Sequence, residues 1–207
     1  MRSADFSPQG EIQPEGNCSL KAALQVDFME YSESHHRPLH IYLDDAWYFI
    51  TASTISHARY ISTEAHLCIW RDAFFELTLK FGITICAWVV LKNHYHIIVQ
   101  PQQGRDVSKF IGQLHGRTSR AINLLDNAQG RQIWYSYWDT CIRGEIDFWT
   151  RFNYIHYNPV KHGYTENPED WKFSSYRFYL KQEGEEWLAN CWLQYHVDGL
   201  LQIDSDE

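Results

Sequence analysis

Residues 83–100 read ITICAWVVLKNHYHIIVQ. The first nine are apolar or β-branched almost without a break, the pattern of a strand buried on both faces. Lys92 and Asn93 give a short turn signal, a second strand runs over 94–100, and Pro101 closes it. So short a connection predicts an antiparallel hairpin. Upstream, 47–54 (Trp-Tyr-Phe-Ile-Thr-Ala-Ser-Thr) is rich in aromatic and β-branched residues and predicts another strand. Between that strand and the hairpin, Ser62 or Thr63 can cap a helix. Its Leu67, Trp70, Phe74, Leu77 and Phe81 recur at helical spacing, and Gly82 ends it.

Downstream, Val107, Phe110, Ile111, Leu114, Ala121, Ile122 and Leu125 form the apolar stripe of a second helix, from about Arg105 to Leu125. Gly112 and Gly116 share one side of it, where another backbone could approach closely. Residues 134–143 predict a fourth strand. A third helix starts near Glu145 and Asp147, whose charges suit a helix N-terminus, and should end at Asn158, before Pro159. The order is strand, helix, strand, strand, helix, strand, then a further helix. This predicts an α+β fold: a ferredoxin-like βαββαβ antiparallel sheet with helices on one face and an appended C-terminal helix that carries Tyr154.

Three segments are expected. Residues 1–36 lack a steady period and read as a flexible arm, 37–180 as the folded domain, and 181–207 as a tail that docks in part and ends in acid. The five cysteines are odd in number and include no CxxC pair, which argues against a disulfide framework or a zinc knuckle. No signal peptide and no apolar run of the roughly 18 residues a membrane span needs is visible, so a reduced, cytoplasmic protein without membrane contact is expected. The net charge of −8 disfavours nucleic acid at first sight. Its distribution softens that objection: residues 1–45 carry −5, 46–103 carry +1, 104–164 carry +3 and 165–207 carry −7. The middle of the chain is mildly basic, and local field matters more to a polyanion than total charge.

Three sets of residues could do chemistry. His94 and His96, two apart on a strand, face the same way and could chelate one divalent ion; they could equally be two hydrogen-bonded structural histidines. Tyr154 and Asn158, four apart, share a helix face. One offers a phenol able to attack phosphorus and the other an amide oxygen as a hard ligand, although a core tyrosine and a helix stop explain the same residues. Tyr157 is the rival nucleophile, one residue short of that spacing. Lys109, Arg117, Arg120, Arg143, Arg151 and Lys161 could as a set follow a phosphate backbone, or each be solvated surface. Trp134, Tyr135, Tyr137 and Trp138 could stack on bases or fill the core.

These pieces resemble one family. His94-Tyr95-His96 looks like the His-hydrophobic-His motif of the HUH endonucleases, and the stretch from Trp88 to Val99 resembles the "MPNHxHLL" strand of the REP-associated tyrosine transposases. Tyr154 to Lys161 (YIHYNPVK) looks like that family's "YIHxNPV" helix. Gly116 to Arg120 matches its second-helix pattern, Trp171 to Tyr176 its "SSY" tail, and Arg37-Pro38-Leu39 the stretch before its first strand. The match covers roughly 37–180 in order. Leu91-Lys92 departs from Met-Pro, and His115 from the lysine common at that place. The resemblance implies a metal-dependent single-stranded DNA endonuclease and strand transferase acting on REP-like hairpins, as monomer or homodimer. It also implies His94, His96 and Asn158 as ligands of Mg²⁺ or Mn²⁺, and Tyr154 as the nucleophile that becomes linked to the 5′ phosphate.

A non-catalytic nucleic-acid-binding regulator derived from such an enzyme is the main alternative, since fold alone decides nothing. A hydrolase of small phosphoesters would want a water-activating base, and neither HExxH nor a carboxylate cluster stands near His94. A replication initiator would be longer and carry a P-loop.

Overall fold

The computed structural model describes residues 43–198. The proposed N-terminal arm, the stretch Arg37-Pro38-Leu39 and the acidic end of the tail lie outside them. Four strands, β1 (Tyr48–Thr54), β2 (Ile83–Val90), β3 (His94–Pro101) and β4 (Trp134–Cys141), form one sheet in the order β2-β3-β1-β4, every neighbouring pair antiparallel. The hairpin read from residues 83–100 is β2–β3, with Val90 opposite Tyr95 and Leu91 N–H donating to the carbonyl of His94. Helices α1 (Glu64–Phe81) and α2 (Val107–Leu125) fall where the apolar spacing put them. Thr63 is the cap of α1, its Oγ1 accepting from His66 N–H at 3.2 Å. Gly82 ends α1 at φ +61°, and a Cβ there would also come within 3.0 Å of the Gln102 side chain.

Helices cover both faces of β2 and β3. On one, Trp70, Phe74 and Leu77 of α1 and Phe110, Ile111 and Leu114 of α2 pack on Ile50, Tyr95, Ile97 and Val99. On the other, Phe148, Phe152 and Ile155 of α3 (Glu145–Lys161) pack on Phe49, Val89 and Ile98. The appended helix thus forms a third layer. Two short helices, α4 (Tyr176–Gln182) and α5 (Glu185–Gln194), close its outer side. Tyr179, Leu188 and Cys191 are buried there, and Asn153 of α3 donates to the carbonyls of Cys191 and Tyr195, each at 2.8 Å.

Three details differ from expectation. Pro159 does not stop α3, which continues to Lys161. Proline forfeits only its own N–H toward the carbonyl of Ile155, and the final turn is closed by His162 N–H to Asn158 and Tyr164 N–H to Pro159. Gly112 and Gly116 meet no close backbone among the described residues: both are exposed, and a Cβ at either would have nothing within 4 Å. α2 begins at Val107, after a 3-10 turn over Gly104–Asp106 in place of its expected first residues.

Both sheet edges differ in cover. The β2 edge is met by 173–175: Val90 N–H donates to the Phe173 carbonyl, Ser175 N–H to that of Trp88, and Val89 bridges Ser174. An edge so paired cannot template another chain. The β4 edge has no strand beyond it among the described residues.

Candidate active site

Alternation along β3 turns Tyr95 into the core beside Trp70 and Trp134, and turns His94 and His96 to the face that α3 covers. Across the sheet, His94 sits opposite Ser53 and His96 opposite Thr51. The two imidazole centroids are 5.1 Å apart. From α3, Tyr154 and Asn158 reach the same place one helical turn apart. Asn158 Oδ1 lies 3.0 Å from Nε2 of His94, and the Tyr154 ring packs edge-on to His96 at 5.2 Å. The structure therefore brings together the four residues the motifs singled out.

Both imidazoles are oriented from behind. Nδ1 of His94 is 2.9 Å from Oδ1 of Asn93, and Nδ1 of His96 is 2.7 Å from Oγ1 of Thr51. With Nδ1 of His94 donating to Asn93, its Nε2 carries a lone pair toward the Asn158 oxygen. Among the described residues, Nε2 of His96 is buried with no partner, as is the Tyr154 hydroxyl. Burial, reinforced by the neighbouring His162, holds His94 at a pKa of about 3, and burial with His94 beside it holds His96 well below its usual value. Both rings are therefore neutral at physiological pH, which a metal ligand requires. Two unprotonated nitrogens and an amide oxygen directed at one place suit a divalent cation. Orientation of each ring by an outer hydrogen bond is the habit of metal-ligating histidines. Among the described residues no three His, Cys, Asp or Glu side chains converge to hold a metal by themselves, so the fit depends on the Asn158 amide.

A pocket opens beside this group, lined by Thr51, Ser53, His57, Asn93, His94, His96 and His162. His162 escaped the sequence reading. It follows Tyr154 and Asn158 at the same four-residue spacing, the one signal that could have found it, and its ring lies 4.8 Å from that of His94. Thr51 and Asn93 carried no motif of their own. Phe49 stacks on His96, and Tyr154 lies across both rings. Tyr157 points elsewhere and packs on Trp192 at 5.0 Å.

Five of the six basic residues divide between two sides of the sheet, and the sixth, Arg143, follows the end of β4. Lys109, Arg117 and Arg120 lie on α2, across the sheet from the histidines. Lys109 pairs with Asp106 at 3.0 Å and Arg117 with Glu76 at 2.7 Å, and Arg120 is exposed. On the α3 side, Lys161 holds its ammonium 5.1 Å from the Tyr154 ring centre. Arg151 pairs with Asp147 and covers Phe49 at 4.7 Å, and Arg143 is exposed just past β4.

His156 and Ser175 explain two motifs that are not at the pocket. Ser175 Oγ accepts from Trp88 N–H at 3.0 Å and lies 2.8 Å from Nε2 of the buried His156. α3 is thereby tied to the segment that covers the β2 edge.

Comparison with known proteins supplies the family. The family model described as "Transposase IS200 like" matches residues 44–158, more than half of the chain. A REP-associated tyrosine transposase of Escherichia coli K12 is 28% identical over 132 residues, covering 63% of this chain and 75% of that protein. A protein of Haemophilus influenzae, provisionally given the same description, is 28% identical over 133 residues, covering 58% of this chain and 76% of its own length. The solved structure of a REP-associated tyrosine transposase bound to a REP hairpin superposes with a TM-score of 0.62 at 26% identity, over 74% of this chain and 88% of that one. The α+β fold, the paired histidines facing a helical tyrosine and these matches converge: the chain belongs to the IS200-like transposase family and is an enzyme of the tyrosine transposase type.

Proposed function

We propose that this protein cuts and rejoins single-stranded DNA beside a hairpin, with Tyr154 as nucleophile and a divalent ion held by His94, His96 and Asn158. The observation that carries the reading is the pair of buried, unpartnered atoms on facing elements, Nε2 of His96 and the hydroxyl of Tyr154. Unpaired buried polar groups cost free energy, and these two, with Asn158 Nδ2 beside them, gather next to the pocket, as a site that takes a polar reaction partner would have them. The hairpin substrate is supported by the similar transposase solved with a REP hairpin.

Attack by the phenolic oxygen forms an O–P bond and breaks the bond from phosphorus to the 3′ oxygen. One strand end is left as a 5′-phosphotyrosine and the other as a free 3′ hydroxyl. The phenol loses its proton and the 3′ oxygen gains one, so the step is balanced and a 3′ hydroxyl can reverse it. The ion, when bound, supplies charge withdrawal at a phosphate oxygen. Nitrogen and oxygen ligation together suit Mn²⁺ better than Mg²⁺. The Lys161 ammonium lies 5.1 Å from the Tyr154 ring centre, where it can meet the charge of the attacked phosphate. Tyr154 is 3% exposed and stands outside the pocket lining, so its side chain must swing, or α3 shift, for attack. The same burial favours a second reading, a regulator that binds DNA without cutting it.

Covalent trapping separates the two. Protein, Mn²⁺ and labelled hairpins with single-stranded tails should give a denaturation-resistant labelled protein band. The band should vanish with Tyr154→Phe or a chelator and persist with Tyr157→Phe. DNA binding without any band would establish the regulator instead.

A further inference from the structure

We infer that the half of the sheet left open beside the candidate site is a track for single-stranded DNA, and that Trp138 is the platform on which a base near the cleaved phosphodiester stacks. The inference rests on the DNA-cleaving function proposed above. Thr51 is the cross-strand partner of both His96 and Trp138, so the three side chains stand in a row on one face. Adjacent strands lie roughly 4.8 Å apart, which puts the backbone of Trp138 roughly 10 Å from that of His96. α3 packs on β2, β3 and Phe49 of β1 and leaves the rest of this face open: Thr51 and Ser53 are half-buried, and Ser136, Trp138 and Thr140 are exposed. Thr51 and Ser53 also line the pocket, so the open strip continues directly from it.

The other aromatic residues of β4 are spoken for or misplaced. Trp134 is buried and donates its indole N–H to Thr118 at 2.9 Å. Tyr137 faces the α2 side, where its hydroxyl donates to Ser108. Tyr135 is exposed but precedes the register shift at the start of the strand. Trp138 is 64% exposed and has neither ring partner nor hydrogen bond among the described residues. A bare indole beside hydroxyl side chains is a poor seat for a protein core and a good one for a base, whose flat face stacks and whose edge and phosphate stay wet. No carboxylate of β1 or β4 points to this strip, since Asp139 alternates to the other face beside Ile50, and at the Phe49 end of the strip the Arg151 guanidinium, paired with Asp147, lies over the ring. The occupant that fits is therefore a single strand, in preference to a second copy of this chain.

Base deletion tests this directly. A DNA hairpin carrying a short oligothymidine tail is compared with versions in which one tail position at a time is abasic. The wild-type protein should bind one abasic version about 10-fold more weakly than the intact tail. Trp138→Ala should bind the intact tail about 10-fold more weakly, bind the blunt hairpin unchanged and show no further loss at that position; Trp138→Phe should restore part of the difference. Equal abasic penalties in wild type and Trp138→Ala would overturn the inference while leaving the nucleophile assignment standing. A change in oligomeric state with Trp138→Ala, at unaltered tail affinity, would overturn it in favour of a second copy on this face. Absence of tail binding by the wild-type protein would overturn the inference and the DNA-cleaving function together.

Discussion

At the scale of single residues, Tyr154 and His96 are defined by what they lack. The Tyr154 hydroxyl is buried without a partner among the described residues, so its removal should not weaken the fold. Tyr154→Phe is expected to unfold within about 1 kcal/mol of wild type, or to be slightly more stable, because an unsatisfied buried hydroxyl contributes nothing favourable. Urea denaturation checks this, and a loss of several kcal/mol would mean that the hydroxyl has a partner. The pairing of an abolished covalent adduct with an intact fold is the signature of a nucleophile. The residue pattern showed His94, His96, Tyr154 and Asn158 because each has a fixed spacing along one element. Thr51, Asn93 and His162 were invisible because their importance comes from which neighbours the folded chain gives them.

At the scale of elements, the join between α3 and the β2 edge is the critical contact. Ser175 accepts from the Trp88 amide and lies beside Nε2 of His156, all three in the interior. Ser175→Ala leaves a strand amide and an imidazole without their partner, and should cost about 1–3 kcal/mol of stability. The Trp88 amide should also exchange faster with solvent; unchanged exchange there would show that the hydroxyl does not hold the edge. α3 also shows where local rules yield. The residue before a proline is disfavoured in the α-region, yet Asn158 is wholly buried against His94 and the helix runs on to Lys161. Packing of Phe148, Phe152 and Ile155 on the sheet outweighs a local preference worth less than one buried aromatic.

For the whole molecule, neutral histidines set the response to acid, His156 buried and His115 half-buried. Burial lowers His115 to about 4 and His156 to about 3. In the unfolded chain each would titrate near 6.5, so between these values the unfolded state binds more protons than the native state. Their contribution is fully present above about pH 6.5 and is lost as pH falls toward 4 and 3. Wild-type stability should drop across this range, and His115→Gln, which keeps a polar partner for the Tyr95 hydroxyl, should flatten part of the drop. A parallel pH profile in the variant would remove His115 from the account. The division of basic residues also has a consequence. Lys109, Arg117 and Arg120 lie across the sheet from Tyr154, where a hairpin stem rather than the cleaved phosphate would meet them. Their joint replacement by Ala should weaken hairpin binding and reduce its salt dependence. Unchanged binding at all salt concentrations would exclude them as phosphate contacts.

The sequence by itself determined the element order, the hairpin at 83–100, the apolar faces of α1 and α2, and the one-sided pairing of His94 with His96 and of Tyr154 with Asn158. Periodicity and turn chemistry act within a few residues and can be read there. Among the described residues no helix is long and apolar enough to cross a membrane, in keeping with the absence of such a run in the sequence. Only the tertiary structure decided that α3 covers the histidine face, that it survives Pro159, that Gly112 and Gly116 meet no neighbour among the described residues, and that Trp138 alone of its strand's aromatic residues stands open beside the site. These depend on which surfaces meet across long stretches of chain, and that is a property of packing and strand register that no local spacing encodes.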